Sequence, residues 1–325
     1  MKTIYSVIPF LLFISCSSTK KIDYEVTQGQ LQNWRAESEN ITNLSILLED
    51  DGVEGSPIKF DNENILFESM KNDNYDLWLI NSKGKKGIRQ LTTYDGPDRQ
   101  ACIHPNGKNY IFLSDRSETG YYMGEIGKPT VMSLVSVKKP YFGGWTSADI
   151  SPNGKEMLYV SGKYIWIFDL ETKNRTQLIQ GTDPRWYENG TKIIYKKIGK
   201  ELSKGNYVST SIWTMSADGT EQTEIIGGDK SNSYSGARIS PNGQKILYLK
   251  RKIYFKSNGE VQLFSNSDIF ICNIDGTEHT QITTHPLNDI EANWIDSETI
   301  VFCSERPQSG LLKDRTWDLW KLKIY

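Results

Sequence analysis

The sequence predicts an all-β chain folded as a six-bladed β-propeller, closed by an N-terminal strand that completes the last blade. Three observations carry this. A turn phrase recurs as His104-Pro105-Asn106-Gly107, Ser151-Pro152-Asn153-Gly154 and Ser240-Pro241-Asn242-Gly243. Each copy leads into a β-prone apolar run: Tyr110-Ile111-Phe112-Leu113-Ser114, Met157-Leu158-Tyr159-Val160-Ser161 and Ile246-Leu247-Tyr248-Leu249. Tight Pro-Asn-Gly turns between short strands, returning every ~35–55 residues, are the signature of propeller blades. The third observation is an N-terminal run, Ile41-Thr42-Asn43-Leu44-Ser45, which reads like the fourth strands Arg89-Gln90-Leu91-Thr92 and Thr280-Gln281-Ile282-Thr283 although it lies outside the repeats.

Each unit reads as strand a, turn, strand b, loop, strand c, short turn, strand d. Blade one carries Asp61-Asn62-Glu63-Asn64 at its first turn, then Ile65-Leu66-Phe67-Glu68-Ser69 and Asp76-Leu77-Trp78-Leu79-Ile80. Blade two spans residues 98–137, with strand c expected at 131–134, and blade three spans 148–178. Blade four substitutes Tyr187-Glu188-Asn189-Gly190 for the Pro-Asn-Gly turn. Blade five covers 237–283. Blade six ends the chain at strand c, and the missing strand d is assigned to the N-terminal run, which leaves no open edge in the ring. The propeller thus takes residues 41–325. Asp218-Gly219-Thr220 and Asp275-Gly276-Thr277 supply turn geometry between strands c and d. Trp78, Trp166, Trp213, Phe270 and Trp320 share one position in strand c of five blades, where large rings fill the gap between neighbouring blades.

Residues 1–16 stand apart. Lys2 gives a positive start, and residues 5–14 form an apolar stretch of signal-peptide length, too short to span a bilayer. It ends in Phe13-Ile14-Ser15-Cys16, which resembles a bacterial lipoprotein box. That resemblance implies a lipid on Cys16, a tether and lead-in over residues 17–40, and, with Ser17 beside the lipidated residue, an outer-membrane address on the periplasmic side. Of the remaining cysteines, Cys102, Cys272 and Cys303 each sit in an apolar run and read as core residues; a Cys272–Cys303 bridge is left open.

The repeats resemble the TolB-like, WD-repeat-related propellers of bacterial envelopes, through Gln90-Leu91-Thr92, Ser114-Asp115-Arg116, Ser151 with Gly154, Ser240 with Gly243, and the two Asp-Gly-Thr turns. The resemblance covers about residues 52–325. It implies a propeller that binds partner envelope proteins. TolB itself carries an additional N-terminal α/β domain, for which residues 22–40 leave no room, so the partner is not carried over.

Candidate function follows from loop placement. The long b–c and d–a connections gather on one face: residues 115–130, 197–210, 251–267, 305–315, 138–147 and 227–235. They carry Tyr121, Tyr122, Tyr141, Phe142, Trp145, Tyr207, Tyr234, Tyr254 and Phe255 among Lys and Arg, the side chains that anchor interfaces. Asp98, Asp149, Asp183 and Glu291 fall near the inner strands and are expected at the channel mouth. No G-x-S-x-G elbow exists, and His104, His279 and His285 fall on different connections, so no catalytic residue, metal or cofactor is assigned. The formal net charge of −2 gives no reason to invoke nucleic acid. The expectation is a monomeric, non-enzymatic envelope lipoprotein, touching the membrane through its lipid alone and binding an envelope protein or peptide. The alternative is a carbohydrate-binding or carbohydrate-cleaving propeller lipoprotein, for which two carboxylates across a cleft would be needed.

Overall fold

The computed structural model describes residues 44–48, 53–83, 88–138, 148–199, 201–203, 206–207, 209–258, 261–307 and 316–324. It begins with β1 (Leu44–Leu48). Blade one is β2 (Glu54–Lys59), β3 (Asn64–Ser69), β4 (Asp76–Asn81) and β5 (Arg89–Gln90). Blade two is β6 (Asp98–Ile103), β7 (Asn109–Ser114), β8 (Gly120–Glu125) and β9 (Val131–Ser136); blade three is β10 (Asp149–Ile150), β11 (Glu156–Ser161), β12 (Tyr164–Asp169) and β13 (Arg175–Gln180). Blade four is β14 (Thr182–Tyr187), β15 (Lys192–Ile198), β18 (Thr210–Ser216) and β19 (Thr223–Ile226), with a two-stranded hairpin, β16 (Glu201–Ser203) and β17 (Asn206–Tyr207), inserted between its second and third strands. Blade five is β20 (Asn232–Ile239), β21 (Lys245–Phe255), β23 (Asp268–Asn273) and β24 (Thr280–Gln281), and β22 (Val261–Phe264) pairs with the far end of β21. Blade six is β25 (Asp289–Trp294), β26 (Thr299–Ser304) and β27 (Asp318–Lys323). The first strands of all six blades contact their neighbours right round the ring, β2 touching both β6 and β25.

Closure is as the sequence predicts. β1 runs antiparallel to β27 and supplies blade six with its fourth strand, Leu44 opposite Leu322 and Ile46 opposite Trp320. Leu47 is buried there with Val301, Cys303 and Leu319.

The Pro-Asn-Gly turns form because asparagine caps its own turn. Asn153 Oδ1 accepts from the amide of Lys155 at 2.9 Å while Ser151 Oγ accepts from that of Glu156 at 2.9 Å. Ser240 and Asn242 repeat this geometry, and Gly154 and Gly243 both take φ +73°, which a side chain would resist.

Among the described residues the buried apolar side chains fall into six clusters, one at each blade–blade interface. Their common element is a cross-strand aromatic pair, one ring on strand b facing one on strand c: Phe67 with Trp78, Phe112 with Tyr122, Tyr159 with Trp166, Tyr195 with Trp213, Tyr248 with Phe270, and Phe302 with Trp320. Such pairs add about 0.5–1.5 kcal/mol each beyond their area.

Tyr122 is the sixth member of that series, which corrects the reading of blade two. Strand c is Gly120–Glu125, and the run at 131–136 is strand d. Tyr121 and Tyr122 therefore do not belong to the loop face. Tyr121 is fully buried against blade three, and Tyr122 packs against blade one. The glycines that disguise the strand are demanded by its neighbours. A Cβ on Gly124 would sit 2.4 Å from the Tyr110 ring, and one on Gly120 would sit 2.5 Å from the carbonyl oxygen of Val135.

Cys102, Cys272 and Cys303 are buried and unbridged. Cys272 packs between blades four and five and Cys303 between blades six and one.

Candidate functional site at the channel mouth

Each inner strand outside blade three carries a bulge. The pairing of strand a to strand b slips between Gly55 and Ile58, Arg99 and Cys102, Thr182 and Arg185, Ser235 and Arg238, and Ile290 and Asn293. Within each slip lies a left-handed residue: Ser56 (φ 45°), Gln100 (φ 54°), Asp183 (φ 52°), Gly236 (φ 65°) and Glu291 (φ 54°). Only one is glycine, and the others hold a conformation that costs an L-residue about 1–2 kcal/mol. Bulges re-aim side chains, and here they do so at one level of the ring.

The re-aimed groups join into a polar belt. Arg99 Nε donates to Glu68 at 2.7 Å. Glu68 accepts from Ser56 Oγ at 2.7 Å, and Glu291 accepts from the Ser56 amide at 2.5 Å. Asn293 donates to the carbonyl of Pro57 at 3.0 Å and accepts from Arg238 Nε at 3.1 Å. Arg238 and Arg185 then share Asp183, at 3.0 and 3.2 Å. Asp149 accepts from the Trp186 amide at 2.7 Å. The path runs from blade two through one, six, five and four to blade three.

Burial dominates the electrostatics of this mouth. Burial, then the neighbouring Glu68 carboxylate, pushes Glu291 up to about 7. Burial also pushes Asp149 up and Lys196 and Arg238 down. Glu68 itself is closed from solvent. It and Glu291 both engage Ser56, so they stand beside one another rather than across a cleft.

Of the expected mouth residues, the structure brings Asp149, Asp183 and Glu291 to the inner ring. Asp98 goes elsewhere. It starts β6 but is fully buried in an ion pair with Arg116, beside Thr92 and Asp76 at the blade one–two joint. Burial holds Asp76 up at about 6. The same arrangement recurs between blades five and six, where Arg306 bonds Asp289 at 2.5 Å and Ser304 Oγ at 2.8 Å, with Asp268 raised by burial and by Asp289 to about 7. These are blade-joining networks.

Three members of the expected aromatic face, Tyr121, Tyr122 and Tyr234, are turned inward. Tyr234 is buried between blades four and five, its hydroxyl on Asp229 at 2.8 Å. Tyr254 and Phe255 lie partly buried on the β21–β22 hairpin, and Tyr207 lies in β17. Tyr141, Phe142 and Trp145 fall outside the described residues. Sequence reasoning missed Ser56, Glu68, Arg99, Arg185, Arg238 and Asn293. A signal existed. The triplets Ser56-Pro57-Ile58, Gln100-Ala101-Cys102, Ser147-Ala148-Asp149, Asp183-Pro184-Arg185, Gly236-Ala237-Arg238 and Glu291-Ala292-Asn293 share a small central residue.

No protein-family profile matches the chain, and no curated protein matches it. Solved structures do. A putative TolB from Agrobacterium tumefaciens superposes with a TM-score of 0.58 at 14% identity, covering 86% of this chain and 94% of that one. TolB from Acinetobacter baumannii gives 0.51 at 14% identity, over 92% of this chain and 70% of its own. The fold is a TolB-like six-bladed β-propeller. An oligogalacturonate lyase from Vibrio parahaemolyticus also matches, at 0.55 and 10% identity over 87% and 93% of the two chains. At these identities the likeness is one of fold, and TolB-like propellers host unrelated chemistries.

The histidines of this TolB-like propeller are dispersed. His104 Nε2 lies 3.0 Å from the Gly154 carbonyl oxygen at an a–b turn. His279 Nδ1 bonds Tyr248 Oη at 2.8 Å, and His285 Nδ1 accepts from the Leu287 amide at 3.1 Å. Among the described residues no three His, Cys, Asp or Glu side chains gather as a metal site would.

The raised Glu291 sets a pH dependence. Its folded value, about 7, lies above its ordinary 4.5. Between those values the native protein keeps a proton that the unfolded chain releases, so this group lowers stability progressively as pH rises from 4.5 to 7. Glu291→Gln is therefore expected to raise the melting midpoint at pH 8 and leave it unchanged at pH 5. Equal shifts at both pH values would show that Glu291 does not titrate this way.

Proposed function

We propose that this protein is a non-enzymatic, lipid-anchored envelope module that docks an extended segment of a partner protein at its channel mouth. The observation that carries the reading is the belt of bulge-aimed charged groups at one level of the inner strands. A mouth lined by guanidiniums and carboxylates suits the side chains and backbone of an extended peptide. The hairpins of blades four and five project from the b–c connections on the same face and extend the surface a partner would meet. The likeness to TolB structures agrees with a protein-binding role.

Photo-cross-linking in intact cells tests this. A photoreactive residue at Lys230 or Lys252, both exposed on the long-connection face, should yield an adduct with one protein species. The same residue at Asn242 or Glu171, exposed on the opposite turns, should not. Adducts from neither face, or equally from both, would sink the proposal. For the anchor, Cys16→Ser should move the protein from the membrane fraction to the soluble fraction. Unchanged membrane association would remove Cys16 from the account.

A further inference from the structure

We infer that Asn189, in the first turn of blade four, is a modification site: it deamidates spontaneously, and faster than the asparagines of the three Pro-Asn-Gly turns. The inference does not depend on what docks at the channel mouth. The co-reactant is water, and the product is aspartate or isoaspartate at position 189.

Asn189 is followed by Gly190, which has no side chain to block an approach of its backbone nitrogen to the preceding carboxamide. That nitrogen, losing its proton, bonds to Asn189 Cγ, and the carboxamide nitrogen leaves as ammonia. Water then opens the cyclic imide at one of its two carbonyl carbons, giving aspartate or isoaspartate. The same dipeptide recurs at Asn106-Gly107, Asn153-Gly154 and Asn242-Gly243. A fifth such step, Asn258-Gly259, runs out of the described residues. The four asparagines at 106, 153, 189 and 242 are all exposed, so neither the dipeptide nor access of water separates them.

What separates them is how the carboxamide is held. Asn106 Oδ1 accepts from the amides of Lys108 and Asn109, both at 3.0 Å, and its Nδ2 donates to Asn109 Oδ1 at 2.6 Å. Asn153 Oδ1 accepts from the Lys155 amide at 2.9 Å and Ser151 Oγ at 2.7 Å. Asn242 Oδ1 accepts from the Gln244 amide at 3.2 Å and Ser240 Oγ at 2.7 Å. Each of these asparagines also follows a proline, whose ring braces the turn. Closing the imide turns the carboxamide away from its donors, so it costs those bonds. In blade four, Tyr187 and Glu188 stand where the other turns have Ser or His and Pro. The Asn189 side chain makes no hydrogen bond among the described residues. Glu188 and Asn189 are consecutive left-handed residues, φ 47° and 54°, a conformation L-residues disfavour and leave readily. The turn also abuts blade three: a Cβ on Gly190 would stand 3.2 Å from Pro152. Isoaspartate carries the chain through its own methylene and lengthens this turn against that contact. It also sets a new carboxylate beside Glu188, which pairs with Lys192 at 3.1 Å. Because ammonia is lost, the change accumulates with the age of the molecule.

The test is to age the folded protein in mildly alkaline buffer and follow the four sites by mass-spectrometric peptide mapping. Asn189 should convert at least about tenfold faster than Asn106, Asn153 and Asn242, the scale set by two lost hydrogen bonds. In urea, where no turn is held, the four sites should convert at similar rates. Equal rates in the folded protein, or no conversion at Asn189 while the unfolded chain converts there, would overturn the inference. So would the same advantage for Asn189 in urea, which would assign it to flanking sequence and not to the fold. Rebuilding the turn with Tyr187→Ser and Glu188→Pro should slow conversion at Asn189 about tenfold. Undiminished conversion in a variant that melts like the parent would remove turn bonding as the cause. Should that variant fold poorly, the comparison of folded and unfolded parent decides alone.

Discussion

Arg306→Met should cost roughly 3–5 kcal/mol of unfolding free energy, one of the two largest single-residue effects expected in this protein. Arg306 is 2% exposed and bonds Asp289, which is fully buried. Asp268 stands close enough to Asp289 that the two carboxylates compete for the one guanidinium. Its charge also lies over the rings of Phe302 and Trp320, at 5.2 and 5.3 Å. Removing the cation takes the counter-charge from the buried Asp289 and from the half-buried Asp268 beside it, and breaking such a network from one side typically costs this much. Against a total stability of about 5–15 kcal/mol, the loss should appear in urea melts as a large drop in midpoint. The decisive companion is the triple variant Asp268→Asn, Asp289→Asn, Arg306→Met. With no charge left to strand, it should recover most of the lost stability. A triple variant as weak as the single one would mean that packing of the Arg306 stem, not charge, supplies the effect.

The blade joints differ in this respect. The pattern of an acid opening strand c, a threonine two residues past strand d, an acid opening the next strand a, and an arginine two residues past strand b is complete between blades one and two and between blades five and six. There Asp76, Thr92, Asp98 and Arg116 correspond to Asp268, Thr283, Asp289 and Arg306. Blades three and four open strand c with Tyr164 and Thr210, and have no such acid. On that side the inner belt takes over, through Asp149, Asp183, Arg185 and Arg238. The side of the ring without blade-joining arginines thus carries Arg185 and Arg238 at the channel mouth.

Much of this was legible in the sequence. Turn chemistry is local, so Pro-Asn-Gly and Asp-Gly-Thr announced the blade frame, and the strand-like run near the N-terminus announced the closure. Blade two was misread because Gly120 and Gly124 are set by contacts with Tyr110 and Val135, which belong to adjacent strands. A glycine that makes room for a neighbour looks the same in sequence as a glycine that makes a turn. Asp98 and Glu291 also look alike, each an acid early in strand a. A two-residue offset along the strand separates them. Asp98 lies before the bulge and pairs with Arg116 of its own blade, whereas Glu291 is the bulged residue and is turned toward Ser56. The bulge arises from fitting six twisted sheets around one axis, and no local composition encodes it. The repeated Ala or Pro beside each bulge was its one trace.

Leu47→Asp should be the second severe variant, and it tests how the ring is held shut. β1 is joined to the rest of its blade by the pairing with β27, and Leu47 seats it, 6% exposed against Val301, Cys303 and Leu319. Truncating a buried leucine costs about 2–5 kcal/mol, and a carboxylate in its place adds the cost of desolvation. The loss should not stay in blade six. Cys303 and Val301 share their cluster with Phe67 and Trp78 of blade one, so a loosened β1 opens the joint between first and last blades and exposes the edge of β27. Exposed edges pair with other chains. We therefore expect Leu47→Asp to lower the melting midpoint and also to produce soluble oligomers, read by light scattering. Leu47→Ala, which keeps the strand apolar, should lower the midpoint without changing the particle mass from the parent's. A Leu47→Asp protein with the parent's particle mass and midpoint would mean that the inner belt, with its bonds from Glu291 and Asn293 to Ser56 and Pro57, closes the ring without help from β1.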